Sequence, residues 1–128
     1  MALKVRRNST FVPLAPGAMK KSILDAHLDL QCLLDEAGIH SYFKQAAGED
    51  NKVVLPAVFM QRGEQIETKL SLYIPETKDG SMPRFWVYGL NRRMSAGEVL
   101  GIHVFDGKVW LFNASDRDMV LRSYEAAA

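Results

Sequence analysis

From Ser22 to Gly38 the chain reads SILDAHLDLQCLLDEAG, with apolar residues at 23, 24, 28, 30, 33 and 34. This is a broad stripe of helical period. Ser22 followed by Asp25 supplies an amino-terminal capping pattern, and Gly38 suits the left-handed residue that ends a helix. His27 falls on or near the apolar side, where a packed, hydrogen-bonded histidine is the default reading. A second, shorter helix is expected in HSYFKQAAG, closing at Gly48.

Beyond Asn51 the period changes from helical to alternating. KVVLPAVFM and EQIETKLSLYI flank the short connection QRGE and predict a hairpin with Met60 opposite Gln65. One face then pairs Phe59 with Ile66, Ala57 with Thr68, Leu55 with Leu70 and Val53 with Leu72. The other pairs Val58 with Glu67, Pro56 with Lys69 and Lys52 with Tyr73, so an apolar face separates from a mixed one. Pro56 marks an edge strand or a bulge.

A second hairpin is expected in VLGIHVFDGKVWLFN, because Asp106-Gly107 is a strong two-residue turn signal. Pairing Phe105 with Lys108 gives a plain core face of Val104/Val109, Ile102/Leu111 and Leu100/Asn113. Its other face sets His103 opposite Trp110 and Gly101 opposite Phe112. Between the hairpins, RFWVY reads as a strand. SDRDMVLRSYEAAA reads as a terminal helix capped by Ser115.

A chain of 128 residues, 48% hydrophobic and 24% charged, fits one globular domain. The divisions expected are an irregular basic arm at 1–18, helices at 19–48, a sheet at 51–115 and the terminal helix at 116–128. The net charge of +1 neither supports nor excludes a polyanionic partner, so such a role must rest on local charge. Lys4, Arg6, Arg7, Lys20 and Lys21 all precede the first acidic residue, Asp25. The single cysteine, Cys32, allows no disulfide within the chain and reads as a small core residue; a reducing, cytoplasmic setting is expected. No apolar run approaches the roughly 20 residues that cross a bilayer, so no membrane partner is expected.

Candidate chemistry is sparse. Asp50 with Glu67-x-Lys69 resembles the metal-binding pattern of PD-(D/E)xK nucleases. The expected hairpin, however, sets Glu67 opposite Val58, eight residues from Asp50, or roughly 27 Å along a strand. His27, His40 and His103 lie in separate elements without ligand spacing, and no nucleophile-elbow, P-loop or dinucleotide motif occurs. The reading therefore leans away from an enzyme, with no catalytic residue, metal or cofactor assigned.

What stands out is SMPRFWVYGLNRR. With Phe85 and Val87 turned to the core, Arg84, Trp86 and Tyr88 share the opposite face, where arginine pairs phosphates and aromatic rings stack on bases. Arg92 and Arg93 follow, and Lys108 and Trp110 form a like surface on the second hairpin. The segment YIPETKDGSMPRFWVYGLNRRMSAGEVLGIHVFDGKVWLFNAS resembles stretches of accessory domains in restriction and phage-defence proteins, the likeness resting on Arg84, Trp86, Tyr88, Gly89 and Leu90. It carries no active-site residue, and it implies nucleic-acid binding.

The expected fold is α+β: amino-terminal helices on an antiparallel sheet of about five strands, curled into a half-open barrel. The leading functional expectation is a nucleic-acid-binding module using Arg84, Trp86, Tyr88, Arg92, Arg93, Lys108 and Trp110. Its rival is a protein-interaction module or homodimer that buries the same aromatics. Which sheet face the helices cover decides whether that surface exists at all.

Overall fold

The computed structural model describes residues 8–76 and 82–116. Seven strands form one sheet in the order β1-β6-β7-β3-β4-β5-β2. They are β1 Ser9–Pro13, β2 Ile23–Asp25, β3 Val53–Gln61, β4 Glu64–Tyr73, β5 Arg84–Val87, β6 Val99–Phe105 and β7 Lys108–Asn113. Every pairing is antiparallel except β3 with β7. Three α-helices accompany them: α1 Pro16–Lys21, α2 Leu28–Glu36 and α3 Leu90–Arg93.

Topology forces the sheet to curl. Laid flat, seven strands would span about 29 Å from edge to edge at about 4.8 Å per gap. The chain must pass from edge strand β1 to edge strand β2 through the residues between Pro13 and Ile23, six of them helical. Helical rise plus extended links reaches about 24 Å at most. The edges therefore approach one another and the sheet becomes a half-barrel. Strand direction places α1 and α3 at the end marked by the β3–β4 turn, and α2 at the end marked by the β6–β7 turn. Met19 of α1, Leu30, Leu33 and Leu34 of α2, Leu90 of α3 and Met94 just after it all join the core formed by Phe59, Leu70, Leu72, Phe85, Val87, Leu100, Ile102, Val109 and Leu111.

Both hairpins have the register expected from their alternation, including Met60↔Gln65, Phe59↔Ile66 and Pro56↔Lys69 in one. The other shows His103↔Trp110 and Gly101↔Phe112. The β6–β7 turn carries Asp106 and Gly107 at φ of 53° and 71°, the left-handed pair a two-residue turn demands.

Pro56 is tolerated for a specific reason. Tyr88 N–H donates to the Lys69 carbonyl at 3.1 Å, so Lys69 turns its main-chain groups toward β5. Its partner Pro56 therefore occupies a non-hydrogen-bonded position of the β3–β4 ladder, with its ring nitrogen turned toward β7. There the parallel ladder runs only from Met60↔Phe112 to Ala57↔Val109 and stops beside the residue that has no N–H. Strand β3 is thus interior over its second half and an edge over its first.

Four expectations at the amino end are corrected. The stretch 8–18, read as irregular, contains β1 and the start of α1. The long helix from Ser22 is divided: Ser22 ends α1 at φ 55°, Ile23–Asp25 pairs with β5, and helix resumes only at Leu28. Ile23 and Leu24 suit a helical stripe or a strand equally, and hydrogen bonding to β5 decides between them. His27 precedes that helix as an exposed residue, not a packed one. Cys32 is half-buried beside the core. HSYFKQAAG contains a single 3₁₀ turn at Tyr42–Lys44, followed by another at Glu49–Asn51. The expected terminal helix lies, from residue 117 onward, outside the described residues.

Candidate nucleic-acid interface

Phe85 and Val87 are 0% and 1% exposed, which fixes the outward parity of Arg84, Trp86 and Tyr88. Ladder partners carry that parity across the sheet: Trp86 stands beside Ser71, and Ser71 beside Val54. Val58, four residues on and thus on the same face, stands beside Trp110, and Trp110 beside His103. Trp86 and Trp110 therefore share one face. The helices pack on the other, so the outer face is left uncovered by them.

At β5 the Trp86 and Tyr88 rings lie 4.2 Å apart between centroids, tilted by 40°. Tyr88 is fixed beyond the formal end of its strand, since its N–H donates to Lys69 and its carbonyl accepts from the Thr68 hydroxyl at 2.9 Å. Ser71 is only 1% exposed although it faces outward, so its larger neighbours Trp86 and Val54 close over it. Tyr88 remains 42% exposed. The pair is a rigid, partly open aromatic station.

Arg84 lies 3.8 Å from the Asp25 carboxylate across the β5–β2 ladder. Both side chains are well exposed, and such a pair contributes at most about 1 kcal/mol, leaving the guanidinium free to exchange partners. The Arg84 carbonyl is held by the Tyr42 hydroxyl at 3.0 Å. Burial, with the neighbouring Tyr73 second, pushes the Tyr42 phenol well above its ordinary value, so it stays protonated and donating. Lys52 sits 5.6 Å over the Tyr73 ring, one ladder position from Arg84. Beside this end, Arg84, Tyr73, Asp50 and Glu76 line a groove of about 630 Å³.

The opposite end of β5 is cationic. Val87 N–H donates to the Ser22 carbonyl at 3.3 Å and Ile23 pairs with Trp86, so the carboxyl end of α1, with Lys21 as its last residue, adjoins this end of β5. Helix α1, ending in Lys20 and Lys21, packs on α3, which ends in Arg92 and Arg93. Lys20, Lys21 and Arg92 are exposed and form no ion pair among the described residues. Lys69 is exposed on the outer face directly beside Tyr88. Neither Lys20 and Lys21 as members of this rim, nor Lys69, was legible as a site residue, because only the β2–β5 pairing and the α1–α3 contact bring α1 to this end of the sheet, and only the β4–β5 pairing sets Lys69 beside Tyr88.

Arg93 lies at the far end of α3 from Gly89. Its guanidinium lies 5.9 Å over the Phe59 ring and 3.5 Å from the Gln61 side-chain oxygen, closing the end of the core on the helix side.

Lys108 and Trp110 occupy the same outer face, but three strand spacings, or about 14 Å, from β5. Trp110 donates its indole N–H to the Phe105 carbonyl at 3.3 Å. Around it lie Phe11 and Phe105, 50% and 43% exposed, with Phe112 against Phe11 edge to face at 6.4 Å. His103 Nδ1 meets the Ser9 hydroxyl at 2.7 Å, while its buried Nε2 has no partner. Burial lowers the His103 pKa. Lys108 is the cation of this half, with Asp106 in the adjoining turn. The two halves of the face thus differ: β5 and its neighbours are aromatic and cationic, and β1-β6-β7 is aromatic and nearly uncharged.

Where the β3–β7 ladder stops at Pro56, a groove of about 740 Å³ opens between Pro56, Val58, Lys69, Lys108 and the loop Ala37–Ile39. In the observed register Glu67 stands opposite Val58, apart from Asp50. Among the described residues no three or more histidine, cysteine or acidic side chains gather as metal ligands, and no helix is long and apolar enough to cross a membrane. No family model, curated protein or solved structure matches the chain.

Proposed function

We propose that the domain binds nucleic acid through the β5 half of its outer face. The observation that carries this reading is the Trp86–Tyr88 aromatic pair on a sheet face that the described helices leave uncovered, with Arg84 in an exposed pair with Asp25 and with Lys20, Lys21 and Arg92 in no ion pair among the described residues. Trp86 and Tyr88 offer stacking surface, Arg84 a planar fork for phosphate or a base edge, and Lys20, Lys21, Arg92 and Lys69 point charges for the backbone. Lys108 and Trp110 extend the same face and reach a ligand that continues across β4 and β3. Arg93 acts by holding the end of the core on which α3 sits. Placement of the domain in a restriction or phage-defence system rests on the resemblance of the stretch around Arg84–Leu90.

Fluorescence anisotropy with labelled single-stranded and duplex oligonucleotides across a salt series tests the proposal. Binding should weaken steeply with salt, and Trp86→Ala should reduce affinity by about 5- to 150-fold, the loss of about 1–3 kcal/mol of stacking. Absence of binding to either form at low salt would remove it. A protein partner is the second reading, favoured by the exposed Phe11 and Phe105; contact through such rings is nearly insensitive to salt.

A further inference from the structure

The two edges of the sheet are not alike. Strand β2 has three residues, one of them Asp25 paired to Arg84, which are the features that blunt an edge against further pairing. Strand β1, STFVP, carries no charge along its length. Val104 N–H donates to the Asn8 carbonyl at 2.8 Å and Leu14 N–H to the Glu98 carbonyl at 2.9 Å, so the even-numbered residues of this stretch turn their main-chain groups to β6. Ser9, Phe11 and Pro13 therefore turn theirs away. No described group bonds the Phe11 N–H or carbonyl. On the outer face the Phe11 ring is half exposed and leans on Phe112.

We propose that β1 is a homotypic docking edge: a second copy of this chain pairs its own β1 antiparallel to it about a two-fold axis at Phe11. The strand is complementary to itself in this register. Phe11 exchanges both main-chain hydrogen bonds with the partner's Phe11. Each Ser9 N–H reaches a Pro13 carbonyl, so the missing N–H of Pro13 leaves only the Ser9 carbonyl to water. No like charges meet across the axis, because residues 9–13 hold none. The outward Phe11 rings of the two copies become neighbours, burying a ring that one copy leaves half in water against the already buried Phe112. An isologous contact of this kind closes at two copies, and it leaves the β5 half of each sheet free.

Sedimentation equilibrium and amide hydrogen exchange test it together. The solution mass should rise from 14.4 kDa toward twice that value with concentration. Exchange of the Phe11 amide should slow in parallel, while the Thr10 and Val12 amides, bonded to β6, stay protected throughout. Phe11→Lys and Phe11→Pro should each hold the mass at one copy without loss of the folded circular-dichroism spectrum, since Phe11 is exposed and its N–H is not used by β6. A wild-type chain that stays monomeric to its solubility limit overturns the proposal. So does a dimer that survives both substitutions, or one in which the Phe11 amide exchanges freely.

Discussion

At position 101 the absence of a side chain is a packing requirement. Gly101 faces Phe112 across the β6–β7 ladder, and a Cβ built there would clash with Cζ and both Cε atoms at the far edge of the Phe112 ring. Its φ is not in the left-handed region, so the demand is for space. Gly101→Ala should push Phe112 outward and destabilise by about 1–3 kcal/mol, the usual range for overpacking. Equilibrium urea unfolding measures it, and combining the change with Phe112→Leu should cost less than the two changes added together. His103, one strand face along, makes a different prediction. Its folded pKa lies below the ordinary 6.5, so as pH falls past that value the unfolded chain takes up the proton first. The groups facing it are the Ser9 hydroxyl, Phe105 and Trp110, none of which offers the unpartnered Nε2 an acceptor. Stability should be full above about pH 6.5 and decline below it, and His103→Gln should flatten that decline in thermal melts across the pH range.

Among the elements, β3 shows how finely position decides the effect of proline. Pro56 gives up no β3–β4 hydrogen bond because its ring nitrogen faces the gap beside β7. Pro56→Ala should change stability by less than about 1 kcal/mol, a freer unfolded chain offsetting any new bond to β7. Ala57→Pro should cost about 1–3 kcal/mol or more, since the Ala57 N–H lies in the ladder with Thr68 and its loss strands a carbonyl. Denaturant midpoints of the two variants give the comparison. The hairpins were legible from sequence because alternation has period two and a one-residue slip would expose the whole core face. The α+β class and the curled sheet followed from the same signals, although β1 and β2 did not. Thr10 and Val12 alternate too briefly to register as a strand, and Ile23 and Leu24 fit a helical stripe as readily as an edge strand. Nor does any local pattern show which strands neighbour which, so the shared face of Trp86 and Trp110 and the pairing of β2 with β5 came only with the sheet order.

For the molecule as a whole, a net charge of +1 makes long-range attraction to a polyanion weak. Binding must then come from contact-range cations, and their number sets the salt response. If Arg84, Lys20, Lys21, Arg92 and Lys69 bring about four phosphates into contact, the logarithm of affinity should fall against the logarithm of salt concentration with a slope of about −3. Changing Lys20 and Lys21 together to alanine should reduce that slope in magnitude by roughly 1.5 while weakening all sequences alike, because phosphate contacts carry no base information. Trp86→Ala should do the opposite, lowering affinity at every salt concentration and leaving the slope unchanged, since stacking releases no counterions. Both residue sets flank the same strand β5, so this separation of slope from intercept is a property of the assembled face. A Lys20/Lys21 variant with the wild-type slope would place the phosphates elsewhere on the molecule, since among the described residues the apolar β1-β6-β7 half offers Lys108 as its strand cation.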